Sequence, residues 1–424
     1  MLSENGPFIW QPGMLGPVEN PWSWNRLTNV VWVEQPVGTG FSVGNATARN
    51  EEDVARQFLG FWKNFVDLYG LQGYKVYITG SSYSGMYCPY IASAMLDAND
   101  KTYYNMSGMM VFDGVYSLPP LLEDMVVAPF HDSWERVFNF NDTFKASIRS
   151  AAQQCGYTDY LKKYLVFPPT AGVQPAKLPG TFADDSSVPV PGCDLWNAVL
   201  IAAMTENPCF SVYEIFHRCP RPYDPLGFSD GTGFTPDGAG SAYFNRPDVK
   251  AAINAPTDHD WFFCNGLSPT GKPVFVHDTD TSLNSGPGSQ PVLPNVIDKT
   301  KNVILGHGSR DFTIIADGTL LTIQNLTFGG KLGFQTRPST PLIIPELSDD
   351  EQARIGLGYI SGGGSGNVGI FHSERGLTYF YVEPAGHFLA MDTPEVAFRG
   401  LEVLLGRIEG FQSSKPFTVN MGAK

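Results

Sequence analysis

Positive charge is scarce in this chain. Of 424 residues, 28 are Lys or Arg against 42 Asp or Glu, a formal net charge of −14. No Lys/Arg run or stripe gathers what there is, so the electrostatic footprint that supplies most nucleic-acid affinity is missing. The same deficit argues against anionic membrane surfaces as partners. No apolar stretch approaches the roughly 20 residues that span a bilayer, because Gly, Pro or charged residues interrupt each long one. His and Cys nowhere take up zinc spacing, so no metal is expected. Met1 is followed by neither a charged segment nor an apolar one, so the expectation is a leader already removed or a gene product cut short.

What is present points to a folded, secreted protein. Apolar residues make up 42% of the chain and aromatics 13%, the composition of a chain that buries a core. The length suffices for one very large core or two to three ordinary ones. Sequons at Asn45, Asn105, Asn141 and Asn325, together with six cysteines, fit an oxidising compartment.

Nearly uninterrupted β-rich runs at Val30–Val33, Lys75–Thr79, Met109–Phe112, Val303–Leu305 and Tyr379–Val382 read as strands buried on both faces, the habit of parallel sheets. Between the first two, Val54, Phe58, Trp62, Phe65, Val66 and Tyr69 recur at helical spacing across Glu51–Tyr69. Asn50 supplies a cap, acids fill the first turn and Gly70 ends it. Further helices are predicted after Tyr83, over Pro247–Asn254, after Asp311, and from Pro394 to about Arg407 with Thr393 as cap. Strands alternating with helices predict an α/β sheet with crossover connections. From Ser117 to Tyr243 that alternation dissolves into Pro- and Gly-rich text carrying Cys155, Cys193, Cys209 and Cys219. The expectation is an inserted cap over residues 117–243 on a core built from 1–116 and 244–424. Residues 265–300 and Ser361–Asn367 read as loops, the second as a hairpin tip.

Three serines compete as a G-x-S-x-G nucleophile. Gly40–Gly44 around Ser42 and Gly227–Gly231 around Ser229 fit the pattern literally, but such an elbow needs a strand before the serine and a helix after it. Only Ser82 has that setting, between Lys75–Thr79 and an apolar helical run from Met86 to Leu96, with Gly80, Ser84 and Gly85 leaving room for a tight turn. Ser42 and Ser229 sit in Pro/Gly loops. Downstream, Asp311 and His387 each follow a predicted strand, at the carboxyl ends where open α/β sheets assemble their sites. Ser82 is then the nucleophile, His387 the base, Asp311 the group that holds its tautomer, and the Tyr83 backbone N–H an oxyanion donor. His307, a rival base, lies four residues from Asp311, which favours local scaffolding or solvent exposure.

The segment Gly80-Ser81-Ser82-Tyr83-Ser84-Gly85 resembles the G-E-S-Y-A-G elbow of the serine carboxypeptidases. Other matches follow in order. Asn20-Pro21-Trp22-Ser23-Trp24-Asn25, Glu34-Gln35-Pro36-Val37-Gly38-Thr39-Gly40-Phe41-Ser42 and Tyr243-Phe244-Asn245-Arg246-Pro247-Asp248-Val249 are similar to further segments of that family, as are Gly308–Phe312 and Ala385–His387. The resemblance implies an α/β-hydrolase fold with an inserted cap, secretion or vacuolar targeting, and removal of C-terminal residues from peptides at acid pH without any cofactor.

Two departures from the family stand out. The resemblance assigns the substrate's terminal carboxylate to a Glu before the nucleophile paired with a second Glu. Glu4 supplies the second, but Ser81 replaces the first. Weaker recognition of a free C-terminus is expected, confined to pH values at which Glu4 is protonated. The family's N-G-G-P-G-C-S-S segment, which carries the second oxyanion donor, precedes the stretch where residue 1 begins, so a chain poor in activity is expected. An acyltransferase, an esterase or a catalytically impaired relative are the alternatives. The resemblance further implies nested cap disulfides, Cys155 with Cys219 and Cys193 with Cys209. It pairs Cys264 outside this chain and leaves Cys88 as a buried hydrophobe.

Overall fold

The computed structural model describes residues 1–227, 242–261, 274–276, 280–282, 291–348 and 364–419. Its main sheet has six strands: β1 Lys75–Ser81, β2 Asn105–Phe112, β3 Val303–Gly308, β4 Thr340–Ile344, β5 Gly366–Glu374 and β6 Leu377–Val382. In space they run β1-β2-β3-β6-β5-β4. The pairs β1–β2, β2–β3 and β3–β6 are parallel, whereas β6–β5 and β5–β4 are antiparallel. Four strands therefore present their carboxyl ends along one edge.

The longer helices are α1 Glu51–Tyr69, α2 Ser84–Ala98, α3 Asp142–Gln154, α4 Tyr157–Tyr164, α5 Leu195–Glu206, α6 Leu293–Thr300, α7 Ala316–Asn325 and α8 Pro394–Leu404. α1 begins where Asn50 Oδ1 accepts from the Asp53 N–H at 3.0 Å and ends at Gly70 in the left-handed region, φ 65°. Side chains alternate across the sheet, as a period of two requires. Met110, Phe112, Ile304, Phe380 and Val382 join Val396, Phe398 and Leu401 of α8 in one core. Met109, Val111, Val303, Leu305 and Tyr379 join Ile91 and Met95 of α2, and Val296 and Ile297 of α6, in the other. Covering both faces explains the near-continuous apolar runs.

From Leu118 to Ile215 the chain is mostly helical outside the irregular stretch 165–194, and its apolar residues form a third cluster that includes Phe312, Ile315 and Leu321 from α7 and the turn before it. This packing brings the segment against the carboxyl edge of the sheet.

Several expectations are corrected. Val30–Val33 forms no strand; Val31 and Trp32 stay 41% and 38% exposed, and no neighbour pairs with the segment among the described residues. β-propensity marks a fit to a pleated surface, and a strand needs a partner. Part of the predicted 265–300 loop is helix α6. Thr393 precedes α8, but its hydroxyl donates to the Leu389 carbonyl instead of capping. Gly366 and Asn367 open β5, while Ser361–Gly363, Ser229 and Cys264 lie outside the described residues.

The disulfides pair Cys155 with Cys193 and Cys209 with Cys219, not in the nested arrangement. Local turns decide this. Tyr157 donates its hydroxyl proton to the Cys193 carbonyl at 2.8 Å, joining the start of α4 to the turn before α5. The Asn207 amide reaches the His217 carbonyl at 2.7 Å, folding 209 back on 219. Cys88 is buried on α2 and unbridged.

Non-reducing peptide mapping is expected to recover the 155–193 and 209–219 cross-links and neither nested pair. Phe380 is fully buried between Phe112 and Phe411, at ring distances of 5.9 and 4.8 Å. Phe380→Ala is expected to cost about 3–5 kcal/mol in a denaturant titration.

Candidate active site

The chain leaves β1 through Ser82, which is held at φ 58°. A left-handed conformation costs a non-glycine residue about 1–2 kcal/mol, and the surroundings impose it. Ser82 N–H donates to the Phe112 carbonyl at 2.9 Å, while the Ser82 carbonyl accepts from Gly85 and Val115, each at 2.9 Å. A Cβ on Gly80 would lie 2.4 Å from Ser84 Cβ, and one on Gly85 2.4 Å from the Val115 carbonyl oxygen. The two glycines of the motif are therefore steric requirements of the turn. The Tyr83 N–H, at the head of α2 where the helix dipole is positive, has no partner among the described residues. Its hydroxyl donates to Asp280 at 2.9 Å. Ser81, the last residue of β1, stands in register with Phe112. Ser42 lies in a Pro/Gly turn, bonded to Gly38 and Thr39.

Asp311 and His387 leave the neighbouring parallel strands β3 and β6 at the same edge. Their loops are laced together by Ser309 N–H to the Val382 carbonyl and Arg310 N–H to the Ala385 carbonyl, both at 2.9 Å. A Cβ on Gly308 would meet the Gly386 carbonyl oxygen at 2.1 Å, so this approach needs glycine. The result is a 2.7 Å hydrogen bond between His387 Nδ1 and Asp311 Oδ2, with both side chains almost fully buried. The other carboxylate oxygen accepts from Thr313 and Ile314 N–H at 2.9 and 3.0 Å. Among the described residues no hydrogen bond joins Ser82 Oγ to His387, a contact that tightens in hydrolases when substrate is present.

Behind this pair lie His307, the rival base set aside from the sequence, and Asp113, which sequence reasoning passed over. His307 is fully buried, not solvent-exposed. Its Nε2 donates to the Ile314 carbonyl at 2.6 Å, and Nδ1 faces the Thr319 hydroxyl at 3.3 Å. Burial lowers its pKa, and with no exposed surface and Nε2 tied to the Ile314 carbonyl it offers no free nitrogen to a substrate and is not the base. Asp113, also fully buried, accepts from Gly308 N–H at 2.7 Å, and burial beside Asp311 raises its pKa well above the carboxylate range. Donor atoms of Asp113, His307 and Asp311 fall within 4.8 Å of one another. The proton His307 Nε2 gives to Ile314 occupies the lone pair a metal would take. Asp113 follows β2 as Asp311 follows β3, so the strand-end rule carried a signal for it.

Glu4 sits in a turn gripped by the Asn20 amide, which donates to the Glu4 and Gly6 carbonyls, each at 2.9 Å. The charge of Glu4 contributes to the raised pKa values of Asp113 and Asp392, which places it in electrostatic reach of the site. No hydrogen bond joins it to Ser81 among the described residues. Asp392 accepts from Gly386 N–H at 2.7 Å, and burial, then Glu214, push it up to about 7.

A strained serine at a strand-to-helix elbow, beside a buried Asp–His pair on the same sheet edge, is the arrangement of serine hydrolases. The chain belongs to the serine carboxypeptidase family, whose profile, Serine carboxypeptidase, matches residues 1–406. It is 44% identical over 419 residues to a probable serine carboxypeptidase of Arthroderma benhamiae, covering 96% of this chain and 74% of that protein. It is likewise 44% identical over 413 residues to serine-type carboxypeptidase F of Aspergillus niger, covering 96% and 75%. Among solved structures it is similar to a prohormone-processing carboxypeptidase from Saccharomyces cerevisiae, with TM-score 0.67 at 20% identity over 96% of this chain and 79% of that one. That likeness shows a shared α/β-hydrolase fold. No described helix is long and apolar enough to cross a membrane.

A carboxyl whose pKa is raised in the fold holds its proton more tightly there than in the unfolded chain. Asp392 therefore leaves stability intact below the unfolded value near 4, lowers it as pH rises, and stops doing so above about 7. Asp392→Asn, which keeps an acceptor for Gly386, is expected to remove on the order of 1–3 kcal/mol of this decline. Thermal melts of both proteins between pH 4 and pH 8 measure it.

Proposed function

We propose that the protein removes C-terminal residues from peptides through a Ser82 acyl-enzyme and works best at acid pH. The observation that carries this reading is the convergence of the strained Ser82 with the 2.7 Å Asp311–His387 bond at one sheet edge. Ser82 Oγ attacks the scissile carbonyl carbon while His387 takes its proton. The oxyanion receives the Tyr83 N–H at the head of α2. As the C–N bond breaks, His387 returns the proton to the leaving amine. A water then deprotonated by His387 attacks the acyl-enzyme, and Ser82 recovers its proton. Asp311 accepts a hydrogen bond from Nδ1–H throughout, which leaves Nε2 as the base.

The acid-pH part of the proposal draws support from the buried carboxyls around the site. Besides Asp113 and Asp392, burial first of all pushes Asp124 up to about 7 and Glu123 up to about 8. Each is neutral in acid and charged at a cost in neutral or alkaline solution. Ser81 and Glu4 are assigned to the substrate's terminal carboxylate. A hydroxyl at 81 leaves one carboxyl where the family resemblance implies two, and that favours acyl transfer or ester hydrolysis as the second reading.

We assign residues 117–243 to a cap over the site and 1–116 with 244–424 to the core, in keeping with the helical cluster at the sheet edge. The proposed setting is extracellular or vacuolar. Two sequons suit it, since Asn45 and Asn141 are exposed. Asn105 and Asn325 are only partly exposed; the Asn105 amide donates to the Gly73 carbonyl, and Asn325 Oδ1 accepts from Gln174 N–H, as Asn141 Oδ1 does from Phe144 N–H.

The test is release of the terminal amino acid from a blocked dipeptide between pH 4 and pH 7. Release that falls at least about 10³-fold in Ser82→Ala is the expected result. Turnover of esters but not free-acid peptides establishes the second reading. A chain that neither turns over substrate nor reacts at Ser82 with a serine-directed phosphonate overturns both.

A further inference from the structure

One short segment touches both partners of the Asp311–His387 bond. The Cys209–Cys219 bridge closes a loop of sequence separation 10 with its Cα atoms 5.2 Å apart. Within it, the Val212 carbonyl accepts from the N–H groups of Phe312 and Thr313, both at 2.9 Å, and the Ile215 N–H donates to the Arg310 carbonyl at 3.3 Å. These bonds flank Asp311 on both sides. The Tyr213 carbonyl accepts from His387 N–H at 2.7 Å. The Tyr213 ring lies along the imidazole, with centroids 5.0 Å apart and planes within 25° of parallel. Gly386 makes the approach possible, because a Cβ there would stand 2.3 Å from the Tyr213 carbonyl oxygen.

The loop is itself held from several directions. Asn207 ties its two ends, donating to the His217 carbonyl at 2.7 Å and accepting from Cys209 N–H at 3.2 Å. Arg218 anchors it to the Val137 carbonyl at 3.0 Å. Glu214 reaches the Arg310 guanidinium at 3.5 Å, and that guanidinium stacks on Phe216 at 4.2 Å. A flat side chain on a rigid loop thus meets the face of a histidine whose Nδ1 is fixed elsewhere.

A histidine held at one ring nitrogen is still free to rock about that bond, and small misplacements of a catalytic group cost rate steeply. We infer that the disulfide-closed loop 209–219 braces the Asp311–His387 pair and that Tyr213 is a positioning residue which sets the plane of the His387 ring. The inference rests on reading Ser82, His387 and Asp311 as the reacting triad. The brace acts on the alignment of His387 Nε2 with Ser82 Oγ, so its loss falls on kcat and on the reactivity of Ser82, not on substrate affinity.

The experiment compares Tyr213→Leu and Tyr213→Phe with the parent protein, by kcat and KM on a blocked dipeptide and by the rate at which a serine-directed phosphonate labels Ser82. Tyr213→Leu is expected to lower kcat and the labelling rate together by about 10- to 100-fold with KM within about 2-fold. Tyr213→Phe keeps the stacked ring and restores both to within about 3-fold of the parent. Cys209→Ser with Cys219→Ser, made together, is expected to lower kcat in the same sense while the 155–193 bridge persists. Parent-like kcat in Tyr213→Leu overturns the inference, as does a rise in KM at constant kcat, which would make Tyr213 a wall of the substrate pocket. A parent protein that is not labelled at Ser82 overturns the underlying triad reading instead.

Discussion

Parallel pairing of β1, β2, β3 and β6 is the constraint on which the site depends. Four chain segments travelling the same way must leave the sheet at the same edge, and each exit here delivers a group of the candidate site: Ser82, Asp113, Asp311 and His387. Strands about 4.8 Å apart bring these exits within side-chain reach only if the loops close without steric obstruction. Glycines at 80, 85, 308 and 386 provide that clearance, each at a point where a Cβ would fall within 2.4 Å of another heavy atom. Backbone hydrogen bonds between the exits, such as Ser309 to Val382 and Ser82 to Phe112, then fix the geometry before any side chain contributes.

The electrostatics follow from that crowding. Bringing several acids to one buried edge is costly unless some stay protonated, and Asp113 beside Asp311 is the sharpest case. The neighbouring His307 relieves it little with charge, because burial lowers the pKa of the imidazole. These buried acids thereby cost stability as pH rises, which links the packing of the core to the conditions proposed for its chemistry. The helical segment beyond residue 117 adds a second layer of control, since its apolar face covers Phe312 and its disulfide-closed loop grips the loops that carry Asp311 and His387.

Local signals in the sequence were strong where one element suffices to express them. The Asn50 cap, the apolar stripe and Gly70 marked α1 to the residue, and the strands around Val111, Ile304 and Phe380 were legible because burial on both faces leaves few polar residues. Val30–Val33 carried the same β-rich text and formed no strand, since hydrogen-bonded pairing is decided by neighbours that a local pattern does not contain. The disulfides failed for a related reason. Turns at Asn207 and Tyr157, which bring particular cysteines together, leave no trace in cysteine spacing.

At the site, the amino-acid order by itself determined the candidates. A serine between strand and helix, with an acid and a histidine each placed after a later strand, is a pattern that chain direction and strand ends impose, so Ser82, Asp311 and His387 were readable as the proposed triad without coordinates. Only the tertiary structure decided which groups support them. It buried His307 and Asp113 behind Asp311, and it carried Tyr213 across 174 positions of sequence to lie on His387. Such contacts arise from packing between separate elements, and one-dimensional order holds no record of which surfaces will meet.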